Sequence, residues 1–94
     1  NLIPFDSSKQ MDERITDRTI GELIHAAYAM GEVKTGALIV VEQNIILQEY
    51  EKTGIAMDSL ISSQLLINIF EHNTPLHDGA VIVRNNRIVS ATVR

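Results

Sequence analysis

Hydrophobic and polar positions along the chain follow two different rhythms. Between Thr19 and Met30 the apolar residues Ile20, Leu23, Ile24, Ala27 and Met30 recur every three or four positions, the period of one helix face. Thr19-x-x-Glu22 at its start is a capping-box pattern, and Gly31 reads as its stop. These signals predict a helix over residues 19–30. A second helix is predicted over residues 61–70, where Ile61, Leu65, Leu66, Ile67, Ile69 and Phe70 leave little polar face, so that it is buried on most sides. Asp58 or Ser62 would cap it.

Other apolar runs have strand length. Ala37 to Val41 is continuous and rich in β-branched residues, which suits a central strand buried on both faces. Ala80–Val83 and Ile88–Val93 flank Arg84-Asn85-Asn86-Arg87, and Asn tolerates positive φ, so the pair reads as a hairpin turning at Asn85-Asn86. Arg84 and Arg87 read as solvated strand ends. Gln43-Asn44 reads as a turn, residues 45–50 as a short strand or irregular edge, and Thr53-Gly54-Ile55 as a break. The fold class expected is α/β, a mixed central sheet flanked by helices. Residues 1–16, mixed and polar with Pro4 and Ser7-Ser8, read as a leader or linker, and residues 17–94 as one unit.

Composition narrows this further. Ninety-four residues allow one small domain with a thin core, since a chain of this size buries only about 60–70% of its unfolded surface. The absence of cysteine excludes a disulfide framework and any thiolate zinc site. No apolar run reaches the 18 or so residues of a membrane helix. The net charge of −4, from 8 basic and 12 acidic side chains, comes with scattered basic residues rather than a basic patch, so no nucleic-acid partner is expected.

The stretch with chemistry in it is Asn73-Thr74-Pro75-Leu76-His77-Asp78-Gly79-Ala80, between the second helix and the first hairpin strand. A rigid scaffold there presents polar groups from a loop. Asp78 offers a carboxylate for a metal ion or a proton, and His77 offers an imidazole beside it. Gly79 lacks a Cβ, so a ligand could approach its backbone. Pro-x-x-Asp-Gly is also ordinary turn chemistry. His25 reads as a surface or core-edge residue, because no second ligand stands three or four positions away.

Four ordered segments carry a resemblance. Lys34-Thr35-Gly36-Ala37-Leu38-Ile39-Val40-Val41-Glu42 is similar to the first core strand of diadenylate cyclase domains. Tyr50–Ile55 and Ser62–Phe70 resemble the segments that follow it, and Asn73–Ile82 resembles the family's Asp-Gly-Ala signature with its flanks. The likeness spans roughly residues 20–92 and is greatest to the membrane-anchored type. It implies condensation of two ATP molecules into cyclic di-AMP, each domain holding one ATP, across a face-to-face homodimer. It implies Asp78 as the catalytic carboxylate and metal ligand, His77 as a second metal ligand, and Gly79, Ala80 and Gly36 as substrate-binding residues. Gly36 fits a packing role equally well. Mn2+ or Mg2+ is the implied cofactor, with an imidazole ligand favouring Mn2+.

The family's second signature, Arg-His-Arg, does not occur in this sequence. The chain is therefore expected to be a fragment, inactive by itself, of the cytoplasmic domain of a bacterial membrane-anchored protein, with membrane contact only through segments outside it. Two alternatives stay open: a non-catalytic nucleotide-binding module of the same fold, and an α/β subunit that serves assembly only.

Overall fold

The computed structural model describes residues 14–94; the expected leader falls mainly on residues 1–13, outside the described residues. Among the described residues, three α-helices and four strands follow in the order α1 (Asp17–Glu32), β1 (Ile39–Glu42), α2 (Gln48–Glu51), β2 (Ile55–Leu60), α3 (Ser63–Ile69), β3 (Ala80–Arg84) and β4 (Arg87–Val93), with a 3-10 turn at Pro75–His77 before β3. The strands form one mixed sheet in the order β1-β3-β4-β2. β1 runs parallel to β3, with Ile39 opposite Val81 and Glu42 opposite Arg84. β3 and β4 form the expected antiparallel hairpin, and β2 pairs antiparallel with the far side of β4.

β3 is the strand buried on both faces. Its Val81 and Val83 join Ala26, Met30, Ile61, Leu66, Ile69, Phe70 and Ile88 in the main core, between the sheet and helices α1 and α3. Its Ala80 and Ile82 pack with Val93 on the opposite face, against Val40, Leu47 and Val89. Burying each large aliphatic or aromatic side chain contributes about 1.5–3 kcal/mol, so this layer supplies most of the driving force. The expectation that residues 37–41 form the central strand is corrected. β1 starts at Ile39, stands at the edge of the described sheet, and is preceded by Leu38, which is 59% exposed.

Helix α1 starts earlier and is rotated relative to the expected stripe. Thr16 is the N-cap and accepts from the Thr19 amide at 3.3 Å, so Thr19-x-x-Glu22 is not the capping box. Thr19, Ala26 and Met30 are buried, whereas Ile20 and Ile24 are 45% and 51% exposed. Asn86 explains the rotation. Its side-chain oxygen accepts from the Thr16 amide (3.0 Å) and from the Thr19 hydroxyl (2.5 Å), which lets a polar residue turn inward. Glu22 reaches across and accepts from the Ser63 amide at 2.6 Å, at the start of α3, and this bond holds its carboxyl below the usual value. Gly31 does not stop the helix. The end comes at Glu32, where Lys34 takes a left-handed φ of 60° and the amides of Lys34 and Thr35 bond back to Gly31 and Met30 (3.1 and 2.8 Å), a Schellman closure.

Residues 45–50 form no strand; they bend into the short helix α2. The polar group behind this is Glu42, whose carboxylate accepts from the Leu47 amide at 2.9 Å and from Arg84 at 2.6 and 3.0 Å. Arg84 also donates to Glu51 of α2 at 2.5 Å. Arg84 is thus no solvated strand end. It clamps β1, β3 and α2 together, which raises its own pKa and lowers that of Glu42. Arg87 bonds the Asp58 side chain, and Asp58 lies inside β2, so the cap of α3 is Ser62, accepting from the Leu65 amide at 3.0 Å. Gly54 reaches β2 by close approach to β4, since a Cβ there would meet the Ser90 hydroxyl at 2.5 Å and Val93 at 2.8 Å.

Candidate active site

Helix α3 delivers the chain to the site. Ile69 and Phe70 are each 1% exposed, so the helix end is fixed in the core. The chain then turns, with the Thr74 amide bonding Glu71 (3.1 Å) and Pro75 opening the 3-10 turn. Pro75 is suited to the first position of such a turn because its missing N–H would have no partner there. The amides of His77 and Asp78 bond back to Thr74 and Pro75 at 3.3 and 3.4 Å.

This turn sets the chemistry of His77. Its Nδ1 lies against the Thr74 carbonyl, at 2.5 Å. A carbonyl only accepts, so Nδ1 carries the hydrogen and donates. The other ring nitrogen, Nε2, stands 3.3 Å from Asp78 Oδ1. In the neutral ring Nε2 bears a lone pair, so two acceptors face each other. Either a proton on Nε2 or a shared cation satisfies both. The His77 side chain is 34% exposed and that of Asp78 59%, so the pair sits at the rim and is open to solvent. One imidazole nitrogen and one carboxylate are a donor pair that could hold a divalent metal ion. Among the described residues no group of three or more His, Cys, Asp or Glu could hold a metal ion.

Gly79 follows with φ +86°. A Cβ there would fall on the Val93 carbonyl oxygen and lie 2.9 Å from the Thr92 carbonyl carbon. Glycine is required because β4 backbone occupies that space, rather than to admit a ligand on that side. Ala80 is 7% exposed and paired with Val93, so only its backbone can face a ligand. Gly36 lies three residues before Ile39 as Asp78 lies three before Val81, so the parallel pairing brings both to one end of the sheet. Gly36 is exposed, with nothing within 4 Å of a Cβ placed on it.

One residue at this site carried no signal in the sequence. Between the pairs Ile82–Ser90 and Ala80–Val93, β4 has one more residue than β3, a bulge at Ala91–Thr92 opposite Val81. Thr92 there has φ +57°. A β-branched residue in that region costs of order 1–3 kcal/mol, and glycine is the usual occupant of such a bulge position. The Thr92 hydroxyl donates to the Leu76 carbonyl at 3.2 Å. A cavity of about 390 Å³ also exists, at the turn end of the same hairpin, walled by Thr16, Arg18, Arg84, Asn86 and Arg87 among others. It has none of His77, Asp78, Gly79 or Ala80 in its wall.

Residues 24–94 match the family described as DisA bacterial checkpoint controller nucleotide-binding, the DAC family. The chain belongs to this family. Relatives within it include the cyclic di-AMP synthase CdaA of Bacillus subtilis, 42% identical over 87 residues, which are 93% of this chain and 32% of that protein. A diadenylate cyclase of Listeria monocytogenes is 47% identical over 79 residues, 84% of this chain and 29% of that protein. Among solved structures, a double mutant of DacA from Staphylococcus aureus superposes with a TM-score of 0.81 at 45% identity, covering 83% of this chain and 52% of that one. A hypothetical membrane-spanning protein from Bacillus cereus superposes with a TM-score of 0.75 at 42% identity, covering 79% of this chain and 36% of that one. The chain thus spans under a third of the length of the two sequence relatives. The mixed α/β sheet is the DAC fold over the part described, as the resemblance implied. Among the described residues no helix is long and apolar enough to cross a membrane.

Proposed function

We propose that residues 17–94 are the N-terminal part of a diadenylate cyclase domain, which condenses two ATP into cyclic di-AMP and two pyrophosphates. The observation that carries this reading is the His77–Asp78 pair, held at the rim of a DAC-family sheet with two acceptor atoms 3.3 Å apart. The 3′-hydroxyl oxygen of one ATP attacks the α-phosphorus of the other; the P–O bond forms as the bond to pyrophosphate breaks in line. Asp78 takes the hydroxyl proton, or orients the hydroxyl for its loss. The same step, repeated with the roles exchanged, closes the ring. Asp78 and His77 would hold a bound Mn2+ or Mg2+, which would supply charge neutralisation at the phosphates. Positioning and electrostatics account for most of the rate in this class of transfer.

The pairing of two half-reactions requires two ATP-loaded domains facing one another, so the active species is a homodimer. The Gly79–Ala80 backbone and Gly36 contribute to the ATP site from one end of the sheet. The parent protein is membrane-anchored, with this domain in the cytoplasm. A nucleic-acid partner plays no part.

The test uses the full-length protein with ATP and Mn2+ or Mg2+, with product resolved by chromatography. Cyclic di-AMP formation is expected. ATP binding without product would favour a nucleotide-binding module instead, and absence of both would favour an assembly subunit.

A further inference from the structure

We infer that Thr92 is a positioning residue for Asp78, an inference that rests on the diadenylate cyclase reading above. Three observations converge on it. Thr92 occupies a left-handed bulge position, φ +57°, normally left to glycine. Its hydroxyl donates to the carbonyl of Leu76, in the middle of the turn that ends at His77. The peptide that joins it to Val93 fills the space beside Gly79, with the Thr92 carbonyl carbon 2.9 Å from where a Cβ would stand.

These contacts bracket Asp78. The turn before it is tied to Thr92 through Leu76, and the glycine after it is seated on the Thr92–Val93 peptide. Two points on either side of one residue fix the direction of its side chain. The bulge supplies the extra β4 residue that lets a hydroxyl reach the turn; a regular ladder would alternate this position to the other face. Glycine would relieve the backbone but has no hydroxyl. Threonine at a strained position therefore indicates that the hydroxyl bond is what the site requires. Thr92 itself need not touch ATP.

Full-length variants separate this role from simple structural support. Thr92→Val keeps the shape and removes the hydroxyl. It is expected to lower kcat by about ten- to a hundredfold, the scale of a misplaced reacting group, with KM for ATP within about twofold. Thr92→Ser restores the hydroxyl and is expected within about threefold of wild-type kcat. Thr92→Gly relieves the left-handed strain, so it should melt no lower than Thr92→Val yet share its rate loss. A merely structural role would lower the melting temperature and folded fraction while kcat per folded molecule stayed constant.

Asp78→Asn in the same assay distinguishes the two claims. Wild-type kcat in Thr92→Val, with Asp78→Asn inactive, overturns the positioning role alone. Wild-type turnover by Asp78→Asn, or no turnover by the unmodified protein, overturns the cyclase reading. In that case amide exchange over residues 74–79 decides the contact itself. Thr92→Val is expected to speed it about tenfold over the rest of the core, and unchanged exchange overturns the bracket.

Discussion

Asn86→Ala is the perturbation whose cost the structure determines most directly. Asn86 sits in the β-hairpin turn, 67 positions from Thr19, and its side chain anchors the start of α1. The substitution removes the acceptor of the Thr16 amide (3.0 Å) and of the Thr19 hydroxyl (2.5 Å), and the donor to the Arg14 carbonyl. Bonds at Thr16 and Arg14 are exposed, and water replaces them at about 0.5–1.5 kcal/mol or less apiece. Thr19 is fully buried, so its hydroxyl loses its best acceptor without access to water, a cost of about 1–3 kcal/mol. Together these give about 2–6 kcal/mol. Asn86→Asp keeps the acceptor and loses only the donor, so it should cost about 1 kcal/mol. Denaturant unfolding of wild type and both variants, at equal m-value, measures the difference. A loss below about 0.5 kcal/mol for Asn86→Ala would refute the claim that this side chain docks α1.

Two further outcomes follow from the core and the clamp. Leu66→Ala should cost about 2–5 kcal/mol in denaturant unfolding because Leu66 is 0% exposed, whereas Leu65→Ala should cost less, Leu65 being half-buried; equal losses would contradict the deeper burial of Leu66. Glu42 is held below its ordinary value of 4.5, first by the Arg84 hydrogen bonds and then by the Leu47 amide. A lowered folded-state pKa means the native state binds fewer protons, so this contribution is complete above about pH 4.5 and is lost as pH falls through the folded value. Wild type should therefore lose melting temperature more steeply than Glu42→Gln below that pH, and parallel acid limbs would refute the clamp.

The parts of the fold legible in the sequence were those that local pattern decides. Six of the ten residues Ile61–Phe70 are apolar, and the helix expected there formed over the shorter span Ser63–Ile69, with Leu66 and Ile69 buried and Gln64 and Asn68 exposed; the Asn85-Asn86 turn between two β-branched runs became the hairpin. What local pattern misassigned was decided by distant partners. Ile20 and Ile24 are as apolar as Leu23, so nothing local reveals that Thr19 turns inward instead; Asn86 brings that about. β2 contains Asp58 and Ser59 and alternates poorly, and it exists because β4 has a free edge and Gly54 permits close approach. Arg84 looked like a solvated end because its partners, Glu42 and Glu51, lie 42 and 33 positions away.

At the site, His77, Asp78 and Gly79 could be singled out because Pro, His, Asp and Gly each have a distinct local chemistry. The packing demand for glycine at position 79 was not legible, since only the tertiary fold places β4 backbone against it. Thr92 gave no sign, because a threonine in a β-branched strand is unremarkable until its φ is known.

Asp78→Asn in the full-length protein decides whether Asp78 is the carboxylate that drives cyclisation. Asparagine keeps the size and turn preference of aspartate, and Asp78 is 59% exposed, so folding should survive. It lacks the charge that faces His77 Nε2 and the capacity to take a proton. Cyclic di-AMP formation, followed by chromatography with a melting curve on the same sample, is predicted to fall by about 10²–10⁴ at an unchanged melting temperature, ATP binding falling much less. A normally melting Asp78→Asn protein that forms cyclic di-AMP at close to the wild-type rate would contradict the account and leave Asp78 as a turn residue.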